Sequence, residues 1–465
     1  MHGMINNVDL NAFKKIYFLG IGGIGMSALA RYFKLKGFEV SGYDKTPSAL
    51  TDALVEEGIS IHFEDLGEVV GKQIEKVNTL VIFTPAIPKE MLEYVFILEQ
   101  EFTILKRAQI LGLITHNSKG LCVAGTHGKT TTSSMLAHIL FTSSLKCNAF
   151  LGGISTNYNT NFIASTSSDF TVIEADEFDR SFLQLNPFAS IITACDPDHL
   201  DIYGDEETFL KGFQEYANLI NHAGLLVIKK GLPLTSHANV ITYSLTEEAD
   251  FKGRNLRSEN GMQVMDVVIE GNVWNNITLG LPGIHNAENA LACIALCVFL
   301  GLSEEEIRHG LNTFLGVKRR FEYHVKTEDI VYIDDYAHHP TELKALIDSV
   351  RLLYPTKQIS LVFQPHLFSR TNDFMEGFAE QLSQVDDLYL LPIYPAREKP
   401  MPGVTSDVLL SKITAKSKRL IEKEELIEAI ELTSNQVVLT VGAGDIDRLV
   451  KPLKEKIINE SSAGF

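Results

Sequence analysis

The sequence predicts an α/β protein of about three domains with mainly parallel sheets. Its 465 residues exceed what one core of ordinary size holds, because domains usually contain roughly 100 to 200 residues. Two apolar, strand-like runs each pass through a glycine-rich turn into a helical pattern, one near residue 20 and one near residue 125. A third region alternates strand-like and helix-like segments, which again favours a parallel sheet. We expect domains at residues 1–115, 116–318 and 319–465.

The first domain opens with a strand at residues 16–19 and a Gly-x-Gly-x-x-Gly turn at residues 20–25. A helical pattern runs through Phe33, and a second strand ends at Asp44. Such a turn binds a pyrophosphate, and Asp44 is placed to hold a ribose hydroxyl. The motif suits a nicotinamide dinucleotide as well as UDP, so an NAD-dependent dehydrogenase remains a rival hypothesis.

The second domain begins with the most informative stretch, residues 123–132 (VAGTHGKTTT). Small residues let backbone N–H groups approach phosphate oxygens, Lys129 reaches the β- and γ-phosphates, and the Thr130 hydroxyl holds Mg²⁺. The usual G-x-x-x-x-G-K-[ST] pattern needs glycine where the chain has Val123, so we interpret the loop as a shortened variant. The expected ligand is ATP.

Acidic and histidine side chains follow two later strands of this domain. Glu174 ends the apolar run that starts at residue 170, and His199 follows the strand at residues 191–194. Carboxylates at strand ends beside a phosphate loop usually support Mg²⁺. We therefore predict a magnesium site formed by Thr130, Glu174 and His199. Asp176 and Glu177 have a competing interpretation as solvated helix N-caps.

Two amides and the third region complete the candidate residues. Asn286 and Asn289 open a helix rich in alanine, where helix capping and nucleotide contact are equally good interpretations.

In the third region, strands are expected at residues 330–334, 359–363, 388–391 and 437–441. Polar residues at their carboxyl ends, such as His338 and Arg370, indicate a ligand crevice. The adjacent histidines at 338 and 339 do not predict zinc, since no third ligand lies at a fixed spacing.

Composition limits the classes of partner. A formal net charge of −18 argues against broad binding to nucleic acid or anionic membranes. The five cysteines include no C-x-x-C pair and suit free thiols in a reducing compartment. The apolar run at residues 16–30 resembles a secretory signal, but its glycines have nucleotide-loop spacing. We expect a cytoplasmic protein without membrane insertion, either a monomer or a weak homodimer.

Nine motifs in order resemble those of the Mur ligases, ATP-dependent amide-forming enzymes of peptidoglycan synthesis. They are GIGGIGMSALA, GTHGKTTT, EADEFDRSF, DPDHLDIYG, GIHNAENALA, KRRFE, DDYAHHPTE, FQPHLFSRT and GAGDI. The resemblance covers nearly the whole chain. It implies a Rossmann-like N-terminal domain for a UDP-sugar, a central ATPase domain with a phosphate loop, and a Rossmann-like C-terminal domain that brings the amino acid.

The resemblance also implies substrates, cofactors and residue roles. The substrates would be ATP, UDP-N-acetylmuramate and L-alanine, joined through an acyl phosphate with the help of Mg²⁺. The implied ATP contacts are Gly125, Thr126, His127, Gly128, Lys129, Thr130, Thr131, His285, Asn289, Arg320 and Asp335. The implied UDP-sugar contacts are Gly22, Gly23, Ile24, Gly25, Met26, Ser27, Asp44, Thr84 and Arg107. The implied catalytic residues are Lys129, His199, His338 and Arg370.

The sequence departs from the family pattern at two positions, and three alternative functions are still compatible with it. Leu367 stands where the family commonly has arginine, so Arg370 would hold the alanine carboxylate with less help. His62 lies where the family more often shows Gly-His, which leaves the uracil contacts open.

The related ligase that attaches a recycled tripeptide shares most motifs. A dehydrogenase and a nucleotide-binding scaffold without ligase chemistry are the rivals from other classes.

Overall fold

The computed structural model describes residues 8–197, 200–259, 262–396 and 398–463. Within these ranges the chain forms three sheets of five, ten and six strands, with helices between the strands along the chain. Most of the registered strand pairs are parallel, which confirms the α/β class expected from the sequence. Strands buried on both faces explain why so many of the runs are continuously apolar.

The first sheet has the order β3-β2-β1-β4-β5, and all its neighbouring strands are parallel. Its elements are β1 (Lys15–Leu19), α1 (Ile24–Leu35), β2 (Glu39–Tyr43), α2 (Ala49–Glu56), β3 (Ser60–His62), β4 (Thr79–Phe83), α3 (Leu92–Glu99), β5 (Thr103–Lys106) and α4 (Arg107–His116). Strand order reverses between β1 and β4, so the carboxyl end of β1 is the switch point where ligands bind in open α/β sheets. The glycine turn lies at that end, where Gly20 has a φ of +86°.

The second sheet has the order β15-β14-β13-β12-β11-β10-β6-β9-β7-β8. Its elements are β6 (Lys119–Ala124), α5 (Lys129–Thr142), β7 (Asn148–Ser155), β8 (Thr160–Ile163), β9 (Phe170–Glu174), β10 (Pro187–Ile192), α6 (Leu200–Tyr203), α7 (Glu206–Ala217), β11 (Leu225–Lys229), β12 (Asn239–Ser244), β13 (Phe251–Glu259), β14 (Met262–Ile269), β15 (Asn272–Leu279), α8 (Ile284–Phe299) and α9 (Glu304–Thr313). Strand β6, which carries the phosphate loop, lies between β10 and β9 and is parallel to both.

The third sheet has the order β16-β17-β21-β18-β19-β20, with only the edge strand β16 antiparallel to its neighbour among the described pairs. Its elements are β16 (Glu322–Lys326), β17 (Ile330–Asp335), α10 (Pro340–Leu353), β18 (Gln358–Phe363), α11 (Phe368–Asp373), α12 (Met375–Leu382), β19 (Asp387–Leu390), α13 (Ser406–Lys412), β20 (Ser417–Leu420), α14 (Leu426–Ala429), β21 (Gln436–Val441) and α15 (Val450–Ala463). All four strands expected here from the sequence are present.

The chain divides into two compact units. The first unit holds the chain up to Arg254 together with Val267–Asn275 and Glu288–Phe314, and the second holds Asn255–Asp266, Asn276–Ala287 and the chain from Leu315 onward. The first two glycine-rich turns therefore belong to the same unit. Across the part of the chain that is described, no helix combines the length and apolarity needed to cross a membrane.

Candidate active site

The phosphate loop connects β6 to α5 through two glycines with positive φ, +133° at Gly125 and +80° at Gly128. A Cβ atom on Gly125 would lie 2.1 Å from Thr193 Oγ1, so only glycine fits beside the end of β10. The Thr193 hydroxyl donates to the His127 carbonyl, and the Thr193 N–H donates to Ala124 O at 3.1 Å. Contacts from Thr193, directly after strand β10, therefore fix the conformation of the loop.

Hydroxyl groups line the first turn of α5 after the loop. Thr130 and Thr131 are each 7% exposed, so their side chains lie at the floor of the loop rather than on the surface. Thr126 is held from both sides, because its N–H donates to Ala194 O at 3.2 Å and its Oγ1 accepts from the Asp196 N–H at 3.2 Å. His127 is exposed at the tip. These predicted ATP contacts all lie within one short turn.

Lys129 makes two contacts across the loop. Its Nζ lies 2.6 Å from Gly125 O and 2.7 Å from Glu177 Oε1. Glu177 is only 1% exposed, and its second carboxylate oxygen has no hydrogen-bond partner within the described residues. Burial raises the pKa of the Glu177 carboxyl, and the Lys129 ammonium opposes that rise. The sequence interpretation of Glu177 as a solvated N-cap is therefore wrong, and a lysine partner was missed.

Glu174 ends strand β9 directly beside the phosphate-loop strand, opposite Val123 of β6. A Cβ atom on Gly152 of β7 would lie 2.0 Å from Glu174 Oε2, so the glycine makes room for the carboxylate. The Thr130 hydroxyl and this carboxylate are hard oxygen donors near the loop, and that donor chemistry suits Mg²⁺. His199, the third predicted ligand, lies outside the described residues.

Another group of potential metal ligands lies in the second unit, formed by Glu322, His324 and Asp334. Arg319 approaches it, with Nε 3.5 Å from Asp334 Oδ2. The positive charge of a guanidinium at this distance opposes the binding of a metal cation beside the carboxylate. This group contains none of the residues predicted for Mg²⁺, and it does not include His338 or His339.

The predicted amide pair separates into two roles. The Asn286 Nδ2 donates to Pro282 O at 2.7 Å, so this amide ties the first turn of α8 to the preceding segment. A Cβ atom on Gly128 would lie 3.0 Å from Asn289 Oδ1, so Asn289 lies against the phosphate loop with its side chain buried. His285 is exposed and belongs to the second unit.

The first glycine turn is held by residues from its own domain. The Gly22 N–H donates to Asp44 Oδ2 at 2.7 Å, so Asp44 supports the turn directly. A Cβ atom on Gly20 would lie 2.8 Å from Thr84 Cγ2, and one on Gly25 would lie 2.3 Å from Arg107 Nη1. Thr84 and Arg107, both predicted UDP-sugar contacts, therefore border the turn.

Three other predicted contacts belong to the start of helix α1. Ile24 is half-buried, whereas the side chains of Met26 and Ser27 are buried. The Ser27 N–H donates to Gly23 O at 2.9 Å, and Asn161 Nδ2 donates to Ser27 Oγ at 2.9 Å. Asn161 lies on β8, so the second sheet helps to hold the first nucleotide turn.

A cavity of about 110 Å³ lies where the first two domains meet within the first unit. Gly25 and Arg107 line it from the first domain, and Gly152, Glu174 and Asp176 line it from the second. Arg107 Nη2 lies 3.2 Å from Asp176 Oδ2. A ligand in this cavity would contact the first glycine turn and the predicted metal carboxylate together.

In the second unit, the predicted residues His338 and Arg370 lie near His366 at the carboxyl ends of β17 and β18. The rings of His338 and His366 lie 6.3 Å apart, and Arg370 Nη1 lies 3.4 Å from His366 Nδ1. Burial, then Arg370, lowers the pKa of His366. Leu367 adopts a φ of +71°, a strained backbone for a side chain of this shape. Arg370 supplies a guanidinium to this cluster, and a guanidinium pairs with a carboxylate.

Asp335 lies at the end of β17 and accepts two backbone hydrogen bonds. Its Oδ2 accepts from the Phe321 N–H at 2.7 Å, and its Oδ1 accepts from the Ala337 N–H at 2.8 Å. Arg320 is half-buried in the segment before β16. Both of these predicted nucleotide contacts therefore lie in one small region of the second unit.

Comparison with known families accounts for all three regions. Residues 15–119 match the Mur ligase family catalytic domain, residues 123–297 the Mur ligase middle domain, and residues 319–444 the Mur ligase glutamate ligase domain. The chain belongs to the Mur ligase family. The resemblance inferred from the nine motifs is confirmed, and the dehydrogenase hypothesis does not account for these matches.

Curated Mur ligase relatives span nearly the whole chain. A UDP-N-acetylmuramate–L-alanine ligase of Parabacteroides distasonis is 50% identical over 453 residues, covering 96% of this chain and 98% of the relative. A ligase of the same name from Flavobacterium johnsoniae is 48% identical over 454 residues, covering 98% of this chain and 100% of the relative.

Solved Mur ligase structures share the fold. The UDP-N-acetylmuramate-alanine ligase of Thermotoga maritima matches with a TM-score of 0.83 at 29% identity, over 96% of this chain and 99% of that one. A murein peptide ligase of Psychrobacter arcticus matches with a TM-score of 0.67 at 21% identity, over 96% of this chain and 99% of that one, and at that identity the likeness concerns the fold alone.

Proposed function

We propose that this Mur ligase joins L-alanine to UDP-N-acetylmuramate at the expense of ATP. The products are UDP-N-acetylmuramoyl-L-alanine, ADP and phosphate. The observation that carries the proposal is the cavity bordered by Gly25, Arg107 and Glu174, which joins a pyrophosphate turn to a predicted metal carboxylate within one unit. Relatives about 50% identical over nearly the full length bear the corresponding name, which supports this choice of substrates.

The first chemical step is activation of the muramoyl carboxylate. One carboxylate oxygen attacks the γ-phosphorus of ATP in line, the bond to the bridging oxygen breaks, and ADP leaves. Lys129 and the backbone N–H groups of residues 125–131 bind the phosphates and offset the charge of anions that repel each other. Bound Mg²⁺ supplies further neutralisation, and Thr130 and Glu174 are the residues we assign to hold it, with His199 as a predicted third ligand.

The second step forms the amide. The neutral amine of alanine attacks the acyl carbon, and the tetrahedral adduct expels inorganic phosphate as the amine loses a proton. We assign the alanine carboxylate to Arg370, because a guanidinium pairs with a carboxylate through two parallel hydrogen bonds. The sequence leaves two candidates for the proton acceptor, His199 and His338, and we assign the role to neither. The His338 Nδ1 lies 2.9 Å from Tyr336 O, and its ring lies 6.3 Å from that of His366.

The remaining residue roles follow the family motifs. We propose that residues 1–115 bind the UDP-sugar, residues 116–318 bind ATP, and residues 319–465 bind the amino acid. Asn289 is assigned to the adenine side of the phosphate loop, which it contacts at Gly128. His285, Arg320 and Asp335 are assigned to the nucleotide by motif alone. We propose a cytoplasmic enzyme, because both nucleotide substrates are cytoplasmic metabolites, and a monomer or weak homodimer.

The test is phosphate release from ATP with Mg²⁺ and UDP-N-acetylmuramate, combined with product mass. Three reactions are compared, containing no amino acid, L-alanine, or L-Ala-γ-D-Glu-meso-diaminopimelate. Turnover with alanine and the mass of the alanyl product would support the proposal. Preference for the tripeptide would move the protein to the recycling ligase. Nucleotide binding without product in all three reactions would favour a non-catalytic role.

A further inference from the structure

A buried amide on β8 of the second sheet holds helix α1 of the first domain. Asn161 lies on β8, and its side chain is fully buried. Its Nδ2 donates to Ile24 O at 2.5 Å and to Ser27 Oγ at 2.9 Å, and its Oδ1 accepts from Arg31 Nη1 at 2.5 Å. These three partners lie on one face of α1, because residues three or four positions apart are neighbours on a helix. One side chain therefore holds two turns of this helix.

The partners of Asn161 determine how its amide is oriented. A guanidinium only donates hydrogen bonds and a backbone carbonyl only accepts them, so Oδ1 must face Arg31 and Nδ2 must face Ile24 O. Arg31 is itself held by Glu57, the residue after α2, through Nε at 2.9 Å and Nη2 at 2.7 Å. The Ser27 hydroxyl donates its proton to Ile24 O at 3.0 Å and is left to accept from Asn161. The network therefore has one arrangement of donors and acceptors.

Aromatic packing reinforces the same contact between helix and sheet. The Tyr32 ring of α1 lies 5.4 Å from that of Phe150 on β7 and 6.0 Å from that of Phe162 on β8. Both phenylalanines are buried. Tilted and edge-to-face ring pairs at these distances are favourable. Helix α1 is thus attached to the second sheet by polar and apolar contacts together.

The turn of α1 that Asn161 holds is the one that a pyrophosphate would contact. The N–H groups at the start of a helix have no intrahelical partner, so they and the positive end of the helix dipole bind anions. Ile24 is the first residue of α1 and directly follows the N-cap residue Gly23. Asn161 binds the carbonyl oxygen of this first residue. The position of a pyrophosphate on α1 therefore depends on Asn161.

The second sheet connects Asn161 with the predicted metal carboxylate. Phe162 pairs with Phe150 of β7, which pairs with Ile173 of β9. Since β8 is antiparallel to β7 and β9 is parallel to it, Asn161 and Glu174 lie on the same side of this row of paired residues. Their strands are two spacings apart, roughly 10 Å. Strand β9 pairs in turn with β6, which leads into the phosphate loop, and all these residues belong to the first unit.

We propose that Asn161 is a positioning residue for formation of the acyl phosphate. It sets the separation between a UDP-sugar bound at the start of α1 and the γ-phosphate of ATP bound after β6. This inference rests on the proposed function, because in-line attack by the muramoyl carboxylate requires both substrates at a fixed separation. A displacement of about 1 Å can slow such a step roughly 100-fold. Each substrate keeps its own contacts when Asn161 is truncated, so binding should survive while the chemical step slows.

The test compares Asn161→Ala with the matched control Asn157→Ala in the full chain. Asn157 lies between β7 and β8 and donates to Thr313 O at 2.8 Å, so it is an amide of the same hairpin that binds a carbonyl outside α1. Rapid-quench measurement of ADP formation at saturating ATP, UDP-N-acetylmuramate and L-alanine reports the first step. We expect Asn161→Ala to slow this step roughly 100-fold and to leave KM for both nucleotides nearly unchanged. Asn157→Ala should leave both the rate and the KM values nearly unchanged.

A second variant separates the contact with α1 from burial of the side chain. Asn161→Asp keeps the size of the side chain and the acceptor for Arg31, but it loses both donations to the first turn of α1. It should slow ADP formation as Asn161→Ala does. Unfolding midpoints show that each variant is folded, and equilibrium binding of UDP-N-acetylmuramate and of a non-hydrolysable ATP analogue checks that both sites are intact.

Two results would overturn the inference. One is ADP formation at the rate of the intact protein in both Asn161 variants. The other is a rise in Kd for UDP-N-acetylmuramate that accounts for the whole loss of activity, since Asn161 would then act on binding and not on the separation of bound substrates. Absence of amide product from the intact protein would instead refute the proposed function, and the inference with it.

Discussion

Lys129 Nζ lies 2.7 Å from Glu177 Oε1, so the lysine of the phosphate loop is held against a buried carboxylate. The pair spans two strand ends, because Lys129 follows β6 and Glu177 lies three residues beyond the end of β9. In the proposed complex with ATP, the Lys129 ammonium would also bind a β- or γ-phosphate oxygen. It would then either break its hydrogen bond with Gly125 O or divide its three protons among Gly125 O, Glu177 and the phosphate. Nucleotide binding would therefore change the contacts that stabilise the loop.

Lys129→Ala should abolish ligase turnover while the protein remains folded. The lost ammonium removes a charge that stabilises the transferring phosphoryl group. The fold should lose roughly 3 kcal/mol in free energy of unfolding at pH 7, because Glu177 is left charged and buried without its partner. Phosphate release, product mass and denaturant titration measure both effects. Substantial ligase activity in this variant would contradict the phosphate-loop assignment.

The double variant Lys129→Ala/Glu177→Gln is the control that separates stability from chemistry. A neutral amide at position 177 no longer needs a cation, so most of the lost unfolding free energy should return. Activity should not return, because the phosphate-binding ammonium is still missing. If Glu177 acts only as a solvated surface group, the second substitution will leave stability unchanged.

Gly152→Ala should weaken Mg²⁺ use by the enzyme. The added methyl would lie 2.0 Å from Glu174 Oε2, so the carboxylate must move from its present position at the end of β9. We expect the Mg²⁺ concentration for half-maximal activity to rise roughly tenfold, as for other displaced metal-site groups. Excess Mg²⁺ should restore part of the activity. Unfolding midpoints monitor the fold, and an unaltered Mg²⁺ requirement would argue against Glu174 as a ligand.

The sequence predicts the two nucleotide turns well because their chemistry is local. Glycine at positions 125 and 128, followed by a lysine and threonines, needs no knowledge of distant contacts, and the predicted strand at residues 16–19 matches β1 (Lys15–Leu19). Glu177 is different, since its contact with Lys129 joins residues 48 positions apart. That contact depends on the register between β6 and β9, which no local pattern reveals. The acidic sequence EADE at residues 174–177 does not predict that the Glu177 side chain is buried.

Other features also depend on long-range packing. Strands β13, β14 and β15 had no sequence prediction. In β14 the consecutive residues from Gln263 to Val267 are all buried rather than alternating with exposed ones. Strand β10 begins at Pro187, earlier than the predicted residue 191, since proline is tolerated at the start of a strand. The hydrogen bonds of Glu93 with Tyr17 and His62 join α3 to β1 and β3, so only the fold brings these three residues together.

Asp334→Asn should change the pH dependence of stability. Burial raises the pKa of Asp334 from 3.8 to about 6, and hydrogen bonding from Thr440 and the nearby Arg319 charge only partly oppose this rise. Between these values the folded protein binds a proton that the unfolded chain does not, so Asp334 makes stability fall as pH rises from about 4 to about 6. The lost stability persists at higher pH and amounts to about 3 kcal/mol.

Denaturant titrations of both proteins between pH 4 and pH 7.5 measure this effect. The unfolding free energy of Asp334→Asn, minus that of the unmodified protein, should increase as pH rises from about 4 to about 6 and then stay constant. Other titrating groups cancel in the difference, because they are present in both proteins. A pH-independent difference would mean that Asp334 keeps an ordinary pKa in the folded state.

Arg370→Lys should raise KM for L-alanine by roughly tenfold or more and leave KM for ATP nearly unchanged. Lysine keeps the positive charge but loses the planar fork that pairs with both oxygens of a carboxylate. Position 367, where the family commonly has arginine, is leucine, whose side chain offers no hydrogen bond and whose N–H donates to Tyr394 O at 2.9 Å. Leu367→Arg in the Arg370→Lys background should recover part of the affinity for alanine. If Arg370→Lys raises KM for ATP instead, the guanidinium serves the nucleotide and the alanine carboxylate binds elsewhere.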